Sequence, residues 1–401
     1  MGMLIVNQNK ITNAEELVKI CPFGAIEKSE QGITINAGCK MCKLCVKKGP
    51  TGAVEFVEEE VKSIDKNKWK GIAVFVDHLE GDIHPVTLEL IGKAKELAAK
   101  INQKVYCVFM GYDITPKADE LLHYGVDEVA VYDYCELKHF TIEPYAAVFE
   151  DFVNKYKPAA ILVGATTVGR SLAPRLAARF RTGLTADCTV LDMKENTDLV
   201  QIRPAFGGNI MAQIATPNSR PQLATVRYKV MTAPERNRKT SGNITICSLE
   251  KEKLTSNINV LKVIPKVKER GISDAEIIVA AGRGVKSEKD LEMIKELAEI
   301  LGAELAATRP LIEAGWVDAK RQVGLSGRTV RPRLIITCGV SGAVQFTAGM
   351  NNSEYIFAIN KDEKAPIFKT AHYGIVGDIY EIVPKLIEEI KQGKEIFHNA
   401  I

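Results

Sequence analysis

Gly71-Ile-Ala-Val-Phe-Val76 is an unbroken apolar run, and the residues beyond it change period. From Pro85 to Asn102, the side chains Val86, Leu88, Leu90, Ile91, Ala94, Leu97, Ala98 and Ile101 recur at helical spacing. Val105 to Met110 is again a short apolar run. Thr115 to His123 reads as a helix that Pro116 can open at its first position, and Glu128 to Tyr132 as a third strand. Wholly apolar strands alternating with amphipathic helices suit a parallel sheet covered on both faces, so this stretch predicts a doubly wound α/β domain.

Downstream the pattern continues. Ala160-Ile-Leu-Val-Gly-Ala-Thr-Thr-Val-Gly-Arg-Ser-Leu-Ala-Pro174 is a strand feeding a Gly/Thr turn and a helix, and the turn reads either as a phosphate loop or as an ordinary connection. After Lys266 a second α/β unit begins. Glu276-Ile-Ile-Val-Ala-Ala-Gly-Arg283-Gly runs from strand into turn, and Ser287-Glu-Lys-Asp290 resembles a capping box ahead of a helix that buries Leu291, Ile294, Leu297 and Leu301. A turn at the carboxyl end of a parallel strand offers backbone N–H groups and a helix N-terminus to an anion, and Arg283 adds a full charge.

Upstream, Glu58 to Lys70 is a charged connector, and before it lie four of the nine cysteines. Cys39-Lys-Met-Cys42-Lys-Leu-Cys45 has the spacing that holds three corners of an iron–sulfur cubane, and Cys21-Pro22 supplies the Cys-Pro that ends such motifs. In two-cluster ferredoxins the fourth cysteine of each run serves the other cluster. Here the places that would serve one cluster hold Ile11, Ala14, Leu17 and Gly49, whereas Cys21, Cys39, Cys42 and Cys45 form a complete set for the other. One [4Fe–4S] cluster is the economical reading. A structural zinc site is the rival, although zinc favours two separated C-x2-C pairs. The flanking CPFGAIE and GPTGAVEFV resemble the two halves of a bacterial ferredoxin, which implies a ferredoxin-like α+β module over residues 1–62.

Composition bounds the remainder. A chain of 401 residues exceeds one ordinary core, and 46% apolar with 26% charged residues is a soluble globular balance. Lys+Arg of 53 against Asp+Glu of 50 predicts no dedicated nucleic-acid surface. No apolar run reaches the roughly 18 residues of a membrane span, and the start lacks a basic segment followed by an apolar one, so a cytoplasmic protein without membrane insertion is expected. Cys107, Cys135, Cys188, Cys247 and Cys338 read as buried small apolar residues. The six histidines are dispersed and no nucleophile-elbow motif occurs, so no catalytic side chain is expected; any chemistry belongs to cofactors.

VGATTVGRSLAPRLAARFRTGLTADC from Val163 to Cys188, IRPAFGGNIMAQI from Ile202, and RPQLATVR ending at Arg227 resemble segments of electron transfer flavoprotein α subunits. So do Ala307 to Pro310, Arg321 to Val330, Cys338 to Met350, Ala358 to Phe368 and Gly374 to Asp378, whose order and spacing hold. The resemblance implies a domain over 68–265 that packs on a β subunit, with Arg170, Arg175, Arg203 and Arg220 as interface or domain-bridging groups, and an FAD-binding domain over 266–401.

Carried over by residue, it places Arg283 and Thr308 on the cofactor and Arg309 as a cation beside the flavin ring. Gln322, Val323, Gly324, Leu325 and Ser326 fall near the isoalloxazine. Ser341, Gly342, Ala343, Val344 and Gln345 form a small-residue loop admitting the diphosphate and ribityl chain, and Asn360, Asp378 and Ile379 mark the adenosine end. Phe346 departs from the family pattern, which has His there donating toward the flavin; His372 is the candidate replacement. The implied partners are a β subunit carrying FAD and an NAD site, a flavin-dependent dehydrogenase of acyl-CoA or lactate type, and ferredoxin. The N-terminal module resembles that of anaerobic electron-bifurcating relatives. A non-bifurcating carrier with an accessory cluster is the alternative, and a scaffold with structural FAD a third reading.

Overall fold

Between Gly2 and Glu58 the chain makes two strand–helix–strand passes. The first is β1 (Gly2–Val6), α1 (Ala14–Ile20) and β2 (Ile26–Ser29); the second is β3 (Gly32–Ile35), α2 (Leu44–Lys48) and β4 (Val54–Glu58). Strands β1 and β4 pair antiparallel, as do β2 and β3. Asn13 starts α1 by accepting the Glu15 N–H at 3.1 Å. Leu17, Ile26, Ile33, Ala53 and Val54 form a small core. The computed structural model describes residues 2–30, 32–36, 38–58, 64–208, 210–264 and 271–393; residues 59–63 of the charged connector and the expected boundary at 265/266 lie outside them. Met1–Ile64 and Asp65–Ile401 are separate compact units.

The second unit holds two parallel sheets. The first contains β5 (Ile72–Phe75), β6 (Val105–Gly111), β7 (Glu128–Asp133), β8 (Ala160–Gly164) and β9 (Leu184–Cys188). Strands β10 (Val190–Met193), β11 (Leu199–Ala205) and β12 (Ile210–Ile214) then form an antiparallel arm, before β13 (Gln222–Val226) and β14 (Asn243–Ile246) return to the sheet. Its order is β9-β13-β8-β5-β6-β7-β14, every pairing parallel. Along β5, Ile72 and Val74 face one core with Leu90, Ile91 and Leu97 of α3 (Pro85–Ile101). Ala73 and Phe75 face the other, with Phe149 and Phe152 of α4 (Ile142–Tyr156) and Leu172 of α5 (Thr167–Phe180). This two-residue alternation, buried on both sides, is why the strand reads as continuously apolar.

The second sheet is β15 (Ile277–Ala281), β16 (Glu304–Ala307), β17 (Leu334–Cys338), β18 (Tyr355–Asn360) and β19 (Tyr373–Val376), in the order β16-β15-β17-β18-β19. Helices α6 (Leu291–Ile300) and α7 (Ile379–Lys391) cover one face through Leu291, Ile294, Val383 and Ile387. Val323, Val330, Phe346 and Ile367 cover the other.

Three local expectations are corrected. Thr115 to His123 is not one helix but a 3-10 turn, Thr115–Lys117, and a single helical turn, Asp119–Leu122. The Asp133 carboxylate at the end of β7 takes the N–H groups of Asp113, Ile114 and Thr115, fixing a turn there. Ser287–Asp290 does not cap α6 through a side chain, because Asp290 accepts the Tyr380 hydroxyl at 2.8 Å instead. Cys135 is exposed with its Sγ 3.2 Å from Glu136 Oε2, unlike buried Cys107, Cys188, Cys247 and Cys338. Burial alone pushes the Cys338 thiol up to about 12.

Candidate flavin cleft and cysteine loop

The second sheet changes winding direction between β15 and β17, its first and third strands, and loops leaving the carboxyl ends there diverge to leave a crevice. A cleft of about 550 Å³ lies at these ends. Every strand of the sheet sends residues to it: Arg283, Gly284 and Lys286 follow β15; Thr308, Arg309 and Pro310 follow β16; Gly339, Val340 and Ser341 follow β17; Asn360 ends β18 and Lys361 follows it; Asp378 and Ile379 follow β19. Gln322, Val323, Gly324, Leu325 and Ser326 form one wall, and Ala343, Gln345 and Phe346 another. The walls are joined by the Leu325 N–H donating to Gln345 O at 2.8 Å. Gly324, at φ +134°, permits that contact, since a Cβ there would lie 2.6 Å from the same carbonyl oxygen.

Of the cofactor-binding residues carried over from the family, Gly342 and Val344 do not line the cleft. Gly342 is required for another reason: at φ +82° its Cβ would meet Ile367 N at 2.2 Å, so the glycine lets the loop pack on the following turn. His372 is also outside. Its Nδ1 accepts the Ile356 N–H at 3.0 Å and its backbone N–H donates to Ile356 O, which ties it to β18. Phe346 is buried in the wall. Asn360 acts as a brace, its Nδ2 donating to Val340 O at 2.7 Å. Lys286 and Lys361 went unforeseen. Both come from loops whose family resemblance rests on neighbouring residues.

Arg283, Lys286, Arg309 and Lys361 against Asp378 alone make the lining cationic, and 13-residue α7 begins at the cleft with Asp378 accepting the Tyr380 N–H as its cap. Arg309 Nε is held by Glu313 Oε1 at 2.7 Å. Thr308 Oγ1 is buried on the wall with no hydrogen-bond partner. A buried hydroxyl without a partner costs about 1–3 kcal/mol, so a ligand that supplied one would recover it. Volume, positive lining, helix N-terminus and orphaned hydroxyl together fit a dinucleotide bearing a pyrophosphate.

The first sheet has its own direction change, between β5 and β8, and there the protein satisfies itself. The Thr166 hydroxyl, after β8, donates to the Asp77 carboxylate, after β5, and accepts the Gly169 N–H at 3.1 Å as the cap of α5. Both oxygens of Glu89 on α3 accept the Lys229 N–H, at 3.0 and 3.2 Å, and the His84 ring stands edge-on to Tyr228 at 5.2 Å, filling the space beyond β13. The Gly/Thr turn at 164–169 thus acts as an ordinary connection. Arg220, expected as an interface or domain-bridging group, is buried, its guanidinium 2.8 Å from Asp198.

In the N-terminal unit, Cys21, Cys39, Cys42 and Cys45 line one small cavity. The Ala25 N–H points to Cys21 Sγ at 3.3 Å and the Met41 N–H to Cys39 Sγ at 3.4 Å. Burial opposes a Cys21 thiolate, but the amides of Ala25, Phe23, Ile26 and Gly24 outweigh it and hold that thiol below its ordinary value. Burial pushes the Cys45 thiol up. Met41 and Lys43 take φ of 53° and 59°, left-handed conformations that cost about 1–2 kcal/mol each outside glycine. Among the described residues, no three His, Cys, Asp or Glu side chains are placed to hold a single metal ion. A tetrahedral zinc would need sulfurs about 3.8 Å apart; a cubane takes one thiolate on each iron and so accepts a wider set. The places read as lost ligands meet around the core. Leu17 is fully buried, Ile11 and Ala14 pack on that cluster, and a Cβ on Gly49 would lie 2.7 Å from Leu17 Cδ2.

Among the described residues no helix is long and apolar enough to cross a membrane. Residues 72–252 match the electron transfer flavoprotein domain, and 271–351 the electron transfer flavoprotein FAD-binding domain. The chain is 63% identical over 391 residues to the lactate dehydrogenase (NAD(+),ferredoxin) subunit LctC of Acetobacterium woodii, covering 97% of this chain and 94% of that protein. It is 46% identical to protein FixB of Clostridium saccharobutylicum over 331 residues, 81% of this chain and 97% of that one. It is 45% identical to the electron transfer flavoprotein subunit alpha of Clostridium acetobutylicum over 335 residues, 82% and 99% of the two. The chain belongs to the electron transfer flavoprotein α-subunit family, as an electron-transfer subunit with an FAD-binding domain.

Proposed function

We propose that FAD lies in the cleft at the second sheet, and that the chain passes electrons through it between a β subunit bearing FAD and an NAD site and a flavin-dependent dehydrogenase. In this reading 266–401 is the flavin domain, 68–265 packs on the β subunit, and 1–62 is a ferredoxin-like module. When bound, FAD would accept two electrons and release them singly. Arg283 and Lys286 would hold the diphosphate with the α7 N-terminus. Arg309, with Glu313 fixing its Nε, would stabilise negative charge developing on the ring. Phe346 excludes water from the wall and donates no proton. The observation that carries the reading is the convergence of loops from all five strands on one cleft whose buried Thr308 hydroxyl has no partner.

We further propose that Cys21, Cys39, Cys42 and Cys45 hold one [4Fe–4S] cluster, supported by four thiols in one cavity, N–H groups aimed at two of the sulfurs, and a core plugging the second site. The relative that shares almost the whole chain, N-terminal unit included, is named for NAD and ferredoxin, which supports ferredoxin coupling and a lactate-type dehydrogenase, in electron bifurcation. Anaerobic co-purification with the β subunit tests both cofactors. About four iron and four sulfide per chain are expected with FAD. Zinc, or a Cys42→Ser variant with unchanged metal content, would remove the cluster; turnover indifferent to ferredoxin would leave a non-bifurcating carrier.

A further inference from the structure

We propose that Tyr380 is a positioning residue of the cleft: its hydroxyl keeps the Asp290 carboxylate off Lys286, so that the Lys286 ammonium stays free for the diphosphate of the bound cofactor. This rests on reading the cleft as the FAD site. Tyr380 is the second residue of α7, where Asp378 fixes it by accepting its backbone N–H at 3.0 Å. Its Oη lies 2.8 Å from Lys286 N and 2.8 Å from Asp290 Oδ2. The directions of these two bonds are fixed by their partners. A backbone N–H only donates and an ionised carboxylate only accepts, so the hydroxyl accepts from Lys286 and gives its one proton to Asp290. That bond is the main reason the Asp290 carboxyl is held below the usual carboxylate range, which keeps it ionised.

Lys286 shows what this arrangement leaves over. It lines the cleft and is exposed, its ammonium lies 4.9 Å from the centre of the Tyr380 ring, and among the described residues it makes no ion pair. Asp290 sits on the same hydroxyl as the Lys286 N–H, and the Lys286 charge acts on it, so it is the acid in reach to neutralise that ammonium. The tyrosine withholds it. An aromatic face attracts an ammonium without cancelling its charge, whereas a carboxylate would cancel it. One ring and one hydroxyl thus keep a whole cation beside the start of a 13-residue helix, a place that already favours an anion.

The test titrates FAD into the deflavinated full chain as wild type, Tyr380→Phe, Asp290→Asn and the double variant Y380F/D290N. Phenylalanine keeps the ring and removes only the hydroxyl, which releases Asp290 to pair with Lys286. Y380F should bind FAD on the order of tenfold more weakly, the loss of one contact to a charged group. Removing the acid should undo this: Y380F/D290N should return to within about threefold of wild type, and D290N alone should bind at least as tightly as wild type. Phosphorus magnetic resonance of the bound diphosphate should shift in Y380F and return in the double variant, with the flavin absorbance band unmoved. A tyrosine that merely braces two loops gives no such rescue, because the double variant has lost both partners of the bond. Wild-type affinity in Y380F would overturn the proposal, and so would a Y380F loss that D290N leaves in place. Unmoved phosphorus resonances beside a shifted flavin band would do the same, since Lys286 would then act at the ring. A wild-type chain that takes up no FAD would fail the cleft reading and this inference with it, whereas wild-type uptake with an indifferent Y380F fails this inference alone.

Discussion

The two parallel sheets of the second unit each reverse their winding between neighbouring strands, and they treat that place in opposite ways. In the first, Thr166 donates to Asp77 across the crevice, and Glu89 and His84 hold the loop beyond β13 against α3. In the second, the equivalent ends carry Gly282, Gly284 and Gly339, packed backbone to backbone, and the space above them stays open with Thr308 unsatisfied on its wall. Topology makes a crevice in both cases. Side chains decide whether it is a site.

The difference can be broken or sharpened from either side. The largest expected effect concerns Glu89, whose carboxyl burial pushes up to about 7, against the opposing Lys229 N–H. Its folded value lies above the unfolded one, so the folded state holds the extra proton between about pH 4.5 and 7. The stability this group contributes is present below that window and is lost as pH rises through 7, by about 3 kcal/mol. Glu89→Gln should abolish that decline in urea titrations across pH, without altering flavin content. Thr166→Val should cost about 2–3 kcal/mol, from a lost helix cap and a lost bond to Asp77, again with flavin content unchanged.

On the open side, Phe346→His adds a donor to the cleft wall. A hydrogen bond to developing negative charge is worth about 1.5–3 kcal/mol, or about 30–65 mV for a two-electron couple, so the flavin midpoint should move positive by that much in a spectroelectrochemical titration. Thr308→Val should give the smallest change and the one most specific to an open site. The apo-protein should be as stable as wild type or about 1 kcal/mol more so, while FAD binds about tenfold more weakly. Thr166 and Thr308 therefore predict opposite signs for the same substitution. Like signs would dissolve the contrast.

Much of this was legible in residues. The alternation of Ile72 and Val74 with Ala73 and Phe75 between two cores is what made the strand unbroken and the sheet parallel, and the turn at Arg283 marked the site. What stayed hidden was set by partners distant in sequence. Asp133 converts the Thr115 segment into a turn from 18 residues away. Tyr380 takes Asp290 from the helix it was expected to cap. Gly342 answers to Ile367, and His372 to Ile356. No local pattern announces that Thr166 is spent and Thr308 is free, since both are threonines following parallel strands.

Titration of FAD into the chain, with Ser341→Trp set against wild type, probes the open crevice most directly, because Ser341 is an exposed wall residue there. The account predicts one FAD bound by the wild-type chain and binding abolished in the variant, with the same thermal melt before flavin is added. A Ser341→Trp chain that takes up flavin as the wild type does would put the cofactor elsewhere.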